Sequence, residues 1–303
     1  MRIGIVNSSV GNSNARLEDV VGEIEKAERD GFAFISCPNI FGVDAITAIA
    51  VAGQKTERIE MITGVVPSPP RHPAALAQQA LTTQAAANGR FVLGIGLSHK
   101  IVIEDMFGLS YAQPAKQMRE YLEVLMPLVE GKPASFQGDL YRVNAGISVG
   151  DASPVPVLVA ALGPKMLELT GQLAQGTSTW MTGLGTLANH IVPSIRNAAE
   201  KAGRPEPRIL AAIPIALTED VEAAQAACDQ AFAMYPSLPS YRAMLEREGV
   251  AKPSGISLIG DEAQLRKQIS EFRDAGITDF AASPFPAGEG VLERTLDFLK
   301  SEL

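Results

Sequence analysis

Two cysteines, Cys37 and Cys228, and three histidines, His72, His99 and His190, are the whole of the thiol and imidazole chemistry in this chain of 303 residues. The cysteines are too few and too scattered for a disulfide framework or a zinc site. The histidines form neither an H-x-H nor an H-E-x-x-H pair, so no metal site is expected. Apolar runs are short as well: none approaches the roughly 18 residues that a membrane-spanning helix needs. The opening MRIGIVNSSVGNS reads as a strand and loop, not as a basic-then-apolar leader. Basic residues are outnumbered, 26 Lys and Arg against 34 Asp and Glu, and the net charge of -8 argues against nucleic acid or an anionic membrane as a general partner. Linkers, internal repeats and low-complexity tracts are missing, so residues 1–303 are expected to form a single domain. These absences leave a cytoplasmic, enzyme-sized globule that acts on a small molecule.

What the chain does have is alternation of strand and helix from end to end, with 46% hydrophobic residues to build a core. Arg2 to Val6 reads as a first strand, and Leu17, Val20, Val21, Ile24 and Ala27 put an apolar stripe on one helix face before Asp30-Gly31 ends it. The pattern recurs as strand Phe32 to Cys37 and helix Val43 to Gln54, then strand Ile59 to Val66 and helix Pro73 to Ala87, then strand Phe91 to Ile95. An excursion from Gly96 to Ala115 precedes a helix from Lys116 to Val129, whose last turn Pro127 should kink or shorten. SFQGDLYRVN has the form of a hairpin around Gly138-Asp139. Strands at Val155 to Ala161, Thr177 to Met181, Arg208 to Leu217 (broken at Pro214) and Asp279 to Ser283 then alternate with further helices. Tyr235 to Gly255 carries the weakest pattern and is read as two short helices. Eight strands, each followed by a helix, predict an α/β fold: a (β/α)8 TIM barrel with insertions after strands 4 and 7, in preference to an open doubly wound sheet.

In such a barrel, chemistry belongs at the C-terminal ends of the strands. RHPAALAQQALTTQAAANGRFVLGIGLSH, from Arg71 to His99, runs an amphipathic helix, with Ala75, Leu76, Gln79, Ala80 and Thr83 on its core face, into an apolar strand that ends in polar residues. His99 then stands at the mouth, either as a proton donor or acceptor or as a hydrogen-bonded loop residue. His190 falls inside a helix, where a structural role is expected. Thr63-Gly64-Val65-Val66-Pro67 sets a glycine in an apolar strand, which marks a bulge or the close approach of a ligand. Ala160-Ala161-Leu162-Gly163-Pro164-Lys165 sets small residues and a cation at a helix start, either an anion-binding turn or a tight turn with a solvent-facing lysine. Gly183-Leu184-Gly185-Thr186 matches the loose dinucleotide fingerprint but lacks an acidic residue about 20 positions on, so it is read as a helix start with free amides that face a phosphate. Gly146-Ile147-Ser148-Val149-Gly150 matches a nucleophile elbow with no helix after it, and is read as a loop.

Three blocks, RHPAALAQQALTTQAAANGRFVLGIG, AQPAKQMREYLEVLMPLVEGKPASFQGDLYRV and PVPVLVAALGPKMLELTGQLAQGTSTW, resemble the luciferase-like monooxygenase superfamily, in particular its oxidoreductases that use the deazaflavin coenzyme F420. The resemblance covers nearly the whole chain. It implies a deazaflavin or flavin lying across the C-terminal ends of the strands, against a bulge after the third strand that often contains a non-proline cis peptide. Thr63, Gly64 and Val65 match that bulge. Ser98 and His99 match the polar positions after the fourth strand. Ala160, Ala161, Leu162 and Gly163, with Lys165, match the loop near the coenzyme phosphate, and Thr182-Gly183 its neighbour. The chain also departs from the pattern. Cys37-Pro38-Asn39 stands where many relatives end the second strand with an acidic residue and a histidine, leaving Asn39 as the polar group there. Thr182 stands near the place of a lysine found in sugar-phosphate-oxidising relatives, which turns the expectation away from sugar phosphates.

The resemblance thus implies hydride transfer between F420 and a small organic substrate carrying an activated double bond or carbonyl, with His99 as the catalytic proton donor. An FMN-dependent monooxygenase that needs a partner reductase, or a catalytically silent flavin-binding barrel, are the alternatives. A homodimer is expected on the same ground.

Overall fold

The alternation of strand and helix closes into a ring in a computed structural model that describes residues 1–11 and 14–303. Eight parallel strands, β1 (Arg2–Val6), β2 (Phe34–Cys37), β3 (Glu60–Thr63), β4 (Phe91–Gly96), β5 (Val157–Val159), β6 (Gly176–Trp180), β7 (Arg208–Leu217) and β8 (Asp279–Pro284), pair in chain order. β8 returns to β1 in register from Arg2↔Asp279 to Ile5↔Ala282 and closes the barrel. Around it run α1 (Leu17–Arg29), α2 (Ala45–Gly53), α3 (Pro73–Ala86), α4 (Pro114–Val129), α5 (Pro164–Leu173), α6 (Val192–Lys201), α7 (Val221–Ala231), α8 (Pro239–Glu248), α9 (Glu262–Asp274) and α10 (Val291–Ser301). Local chemistry sets their starts. Asp44, Asp220 and Asp261 accept from the amides of Thr47, Ala223 and Gln264 as N-caps. Prolines open α3, α4 and α5, where no amide hydrogen is needed. Among the described residues, no helix is long and apolar enough to cross a membrane.

Side chains alternate between lumen and helix layer along each strand. Outward residues such as Ile5, Ile35, Met61, Leu93, Ile95 and Val159 pack with the helices into the main core. Inward residues fill the lumen in layers. Its middle is one apolar cluster of Phe34, Ile62, Val92, Leu158, Leu210, Ala212 and Ala281. The Phe34 ring fits because Gly4 beside it has no Cβ, which would lie 2.6 Å from two ring carbons. The bottom is ionic: Arg2, Glu60, Arg208 and Asp279 are the first residues of β1, β3, β7 and β8. Asp279 is 1% exposed and takes Arg2 Nε and Arg208 Nε, each at 2.8 Å, while both arginines also bridge to Glu60. Burial alone would raise the Asp279 pKa. Hydrogen bonds and charge from Arg208, with Thr278 and Arg2, outweigh it and hold the carboxyl below its usual range.

The insertions after β4 and β7 are present. Residues 97–113 loop out after β4, and beyond α4 a hairpin pairs Ala134–Gln137 with Arg142–Ala145. After β7 come α7, a 3-10 turn at Tyr235–Ser237, α8, a 3-10 turn at Pro253–Ile256 and a strand, Leu258–Gly260, that sequence did not predict. That strand explains why Pro214 does not break β7. Pairing with β6 ends at Ala212 and pairing with Leu258–Gly260 begins at Ile215, so Pro214 falls at the changeover, where no ladder amide is missed. Pro127 likewise leaves α4 unshortened, because it sits in the last turn, where few bonds remain to lose. The helix expected around His190 starts instead as a turn at Leu184–Thr186 and widens into a π-type turn at Leu187–Ile191 before α6. Ala75, expected on the core face of α3, is exposed, and Leu81 and Gln84 are buried there instead.

Removing Asp279 leaves two guanidiniums with Glu60 as their remaining partner. Asp279→Ala should therefore cost stability toward the lower end of the about 3–5 kcal/mol seen for broken buried ion pairs, read by urea denaturation at pH 7. Because the folded carboxyl titrates below the unfolded one, its contribution is fully present above about pH 4 and is lost as pH falls through the folded pKa. The variant's stability should accordingly fall less on acidification than that of the wild type.

Candidate active site

The third strand leaves its ladder at the mouth. β3 pairs with β4 at Met61↔Phe91 and Ile62↔Val92, and pairing resumes at Val66↔Ile95 and Pro67↔Gly96. Three residues, Thr63 to Val65, thus face two, Leu93 and Gly94, which is a one-residue bulge. Thr63 supplies what the ladder loses: its Oγ1 donates to Gly94 O at 2.9 Å and accepts from Gly94 N at 2.8 Å. Gly94 must lack a side chain, since a Cβ would collide with the Thr63 carbonyl. A Cβ on Gly96 would lie 2.8 Å from Val65 Cγ2 and 3.1 Å from Ala160 Cβ. The Gly64–Val65 peptide is cis, at the position where the resemblance implied one. Thr63 is fully buried in the wall with its hydroxyl spent, whereas Gly64 and Val65 are half-buried at the mouth. A Cβ on Gly64 would collide with Ser36 Oγ of β2, so that hydroxyl would have to turn away to admit one.

Opposite the bulge the mouth is aromatic. Ser98 and Met181, just past β4 and β6, adopt left-handed φ values of 59° and 52°, uncommon for residues with a Cβ. His99 follows, half-buried, and its imidazole makes no hydrogen bond among the described residues. Its ring centroid lies 5.6 Å from that of Tyr241 on α8. Burial pushes the His99 pKa below 6.5, so the imidazole is neutral at neutral pH. Burial likewise raises the Tyr241 phenol, with Tyr235 adding to the effect. Trp180, the last residue of β6, packs edge-on against Phe232 at 5.7 Å and Tyr235 at 5.9 Å, and Phe232 reaches Phe285 at 6.0 Å. On the outer rim Phe41 and Phe107 meet at 6.4 Å, both exposed.

Two glycine-rich helix starts differ sharply. At α5 the Lys165 and Met166 amides donate to no acceptor among the described residues, Lys165 has no ion-pair partner there, and a Cβ on Gly163 would meet open space. His190 Nε2 donates to Leu162 O at 2.8 Å and holds this loop, a structural role as expected. Ala160 donates to Ile95 O at 2.8 Å beside Gly96, and Ala161 is buried behind it. At Gly183 to Thr186 the amides expected to be free are taken. Glu248, the last residue of α8, accepts from Gly185 N at 2.8 Å and Thr186 N at 2.7 Å. Thr182 is fully buried and donates to Trp180 O at 3.2 Å. Asn39 Oδ1 accepts from Ala45 N at 2.9 Å and so holds the start of α2.

Of the residues singled out by sequence, then, Gly64, Val65, Ser98, His99 and Ala160 line the mouth. Leu162, Gly163 and Lys165 form the open start of α5, and Thr63, Ala161 and Thr182 are buried in the wall. Trp180, Tyr235, Tyr241 and Ser36 were missed. Inward parity along β6 and β2 would have found Trp180 and Ser36; nothing local marks the two tyrosines. Among the described residues no cluster of His, Cys, Asp or Glu is arranged to hold a metal.

Two outcomes follow from this geometry. Gly64→Ala should destabilise the barrel by about 1–3 kcal/mol through overpacking, and Ser36→Ala in the same chain should recover most of the loss, because Ser36 Cβ would stay 3.5 Å away. Urea denaturation of the four members of that cycle measures the coupling; additive effects would mean that the two residues do not meet. The His99 ring protons, followed by NMR, should titrate with a midpoint below 6.5; a midpoint above it would contradict a desolvated imidazole.

A family model for luciferase-like monooxygenase matches residues 1–279. An uncharacterised protein of Mycobacterium tuberculosis is 26% identical over 259 residues, spanning 80% of this chain and 75% of its own. The 5,10-methylenetetrahydromethanopterin reductase of Methanolobus tindarius is 26% identical over 291 residues, spanning 84% and 87%. Among solved structures, the coenzyme F420-dependent tetrahydromethanopterin reductase of Methanopyrus kandleri superposes with a TM-score of 0.82 at 21% identity, covering 100% of this chain and 98% of its own. The oxygenating constituent of 3,6-diketocamphane monooxygenase from Pseudomonas putida, solved with FMN, does so with a TM-score of 0.73 at 16% identity, covering 99% and 96%. At these identities the two superpositions speak to the fold.

Proposed function

This chain belongs to the luciferase-like monooxygenase family, and from that premise we propose that it is an F420-dependent oxidoreductase that moves a hydride between the deazaflavin and a small, uncharged organic substrate. The observation that carries the reading is the bulged third strand, which brings the Gly64–Val65 peptide and the Val65 side chain to the mouth as a backing surface for a flat ring. The open start of α5 fits the other end of the coenzyme: two unpaired amides at a helix N-terminus and the unpaired Lys165 suit a phosphate group. Relatives named as F420-dependent glucose-6-phosphate dehydrogenases support the same coenzyme.

When bound, reduced F420 supplies a hydride from its deazaflavin ring, and positioning of the two reactants carries most of the catalysis. His99 handles the proton. Its neutral imidazole is the state that takes a proton from a hydroxyl undergoing oxidation, and the imidazolium is the state that gives one during reduction. With the pKa lowered by burial, oxidation should rise with pH through a midpoint below 6.5 and reduction should fall through the same midpoint. Trp180, Phe232, Tyr235 and Tyr241 wall the substrate side with aromatic surface, which favours an apolar substrate over a phosphorylated one.

Fluorescence titration tests the coenzyme directly. F420 should bind with a Kd well below that of FMN; equal or inverted affinities would shift the reading to the FMN-dependent monooxygenase. His99→Ala should leave the F420 Kd within a few-fold and lower kcat by about 10²–10⁴, the usual size of a general acid–base contribution. An unchanged kcat at the pH optimum would reduce His99 to a loop residue.

A further inference from the structure

Gly183 and Gly185 have a use that no coenzyme explains. Glu248 Oε1 accepts from Gly185 N at 2.8 Å, and its Oε2 accepts from Thr186 N at 2.7 Å and Thr186 Oγ1 at 2.6 Å, across 62 to 63 residues of chain. Gly183 has φ of -71°, open to any residue, so conformation does not demand glycine there. Close approach does: a Cβ would lie 2.6 Å from Glu248 Oε1 and 2.8 Å from its Cγ. The glycine pattern that resembles a dinucleotide fingerprint is the seat of an internal carboxylate.

That carboxylate ends the helix that covers the mouth. Tyr241, Leu245 and Glu248 recur at helical spacing on one face of α8. Tyr241 meets the His99 ring, Leu245 packs in a small cluster with Met181, and Glu248 caps the turn after β6. Only Met244 and Leu245 of the helix are fully buried, so α8 has little apolar area to hold it down. Charge-assisted hydrogen bonds to backbone amides are about twice as strong as neutral ones, and here they fix the rotation of the helix.

We propose that Glu248 is a positioning residue that latches α8 over the barrel mouth: its carboxylate, seated on Gly185 and Thr186, holds Tyr241 against His99. The proposal stands independently of which coenzyme the mouth takes. The latch borders a surface cleft of about 240 Å³ lined also by Asn189, His190 and Arg247.

The test is the rate at which diethylpyrocarbonate modifies His99 in the full chain at pH 7, read by peptide mass spectrometry. The exposed His72 at the start of α3 is the internal reference. Glu248→Ala should raise the His99-to-His72 rate ratio by about tenfold or more, as expected for freeing a locally held segment. Gly183→Ala, which evicts the carboxylate, and Thr186→Val, which removes one of its three hydrogen bonds, should raise the ratio in the same direction. Thr186→Val also carries the comparison if Glu248→Ala does not fold. A folded Glu248→Ala with an unchanged ratio, or a raised ratio that is not reproduced by Gly183→Ala and Thr186→Val, would overturn the proposal.

Discussion

The exchange of two hydrogen bonds between the Thr63 hydroxyl and the backbone of Gly94 is the interaction on which the mouth depends. A barrel wall is a continuous ladder, and a strand that steps out of it strands buried amides and carbonyls, each worth about 1–3 kcal/mol when left unpaired. Thr63 satisfies both groups of Gly94 with one side chain, so β3 can leave the ladder without opening the wall. Everything on that side of the mouth then follows. The bulge turns Gly64 and Val65 toward the opening, Val65 lies over Gly96, and Gly96 stays bare because Val65 and Ala160 occupy the space that its side chain would need. The glycines of β4 are consequences of the bulge in β3, written about 30 residues downstream of it.

Carboxylates do for the loops what Thr63 does for the wall. Glu28 of α1 accepts from the amides of Glu57, Arg58 and Ile59 and fixes the entry to β3. Glu120 of α4 accepts from Asp139, Leu140 and Tyr141 and fixes the tip of the hairpin. Glu23 takes the amides of Ser8 and Ser9 after β1. For Glu28 and Glu120 burial works against the charge, and several amides converging on one carboxylate outweigh it. Glu248 uses the same device, but it joins the segment after β7 to the turn after β6. The other three hold scaffold in place; this one reaches across the top of the barrel.

Most of the scaffold was legible in the sequence because it rests on period. Apolar runs at β4 and β7 and the helical stripes of α1 and α4 report local burial directly, and their boundaries fall close to those read from pattern. The bulge was half legible: Gly64 signalled an interruption, but only the three-against-two register with β4 shows how the strand resumes. The ionic floor was not read at all, since Arg2, Glu60, Arg208 and Asp279 look like ordinary polar strand ends until closure brings four distant strands together. The same holds for the aromatic side of the mouth. Tyr235 and Tyr241 sit in the stretch with the weakest periodicity because α8 buries only one thin face, and a thin face leaves little pattern to read. The helix start at Gly183 was misread for a deeper reason: a seat for an external anion and a seat for an internal carboxylate demand the same residues, and the occupant comes from a different part of the chain.

The state of His99 links these parts. Its pKa is lowered by burial and by no charged neighbour. Part of that burial is the ring of Tyr241, which belongs to α8 and sits where the helix is rotated to bring Glu248 onto Gly185 and Thr186. Desolvation is therefore a property of the closed mouth and not of the β4 loop alone. With α8 in place the imidazole is neutral at neutral pH; with α8 displaced, water returns to the ring and its pKa moves back toward 6.5. On the proposed latch, closure and proton inventory would be coupled: protonating His99 would favour a lifted α8 by the same free energy with which closing the mouth disfavours the proton.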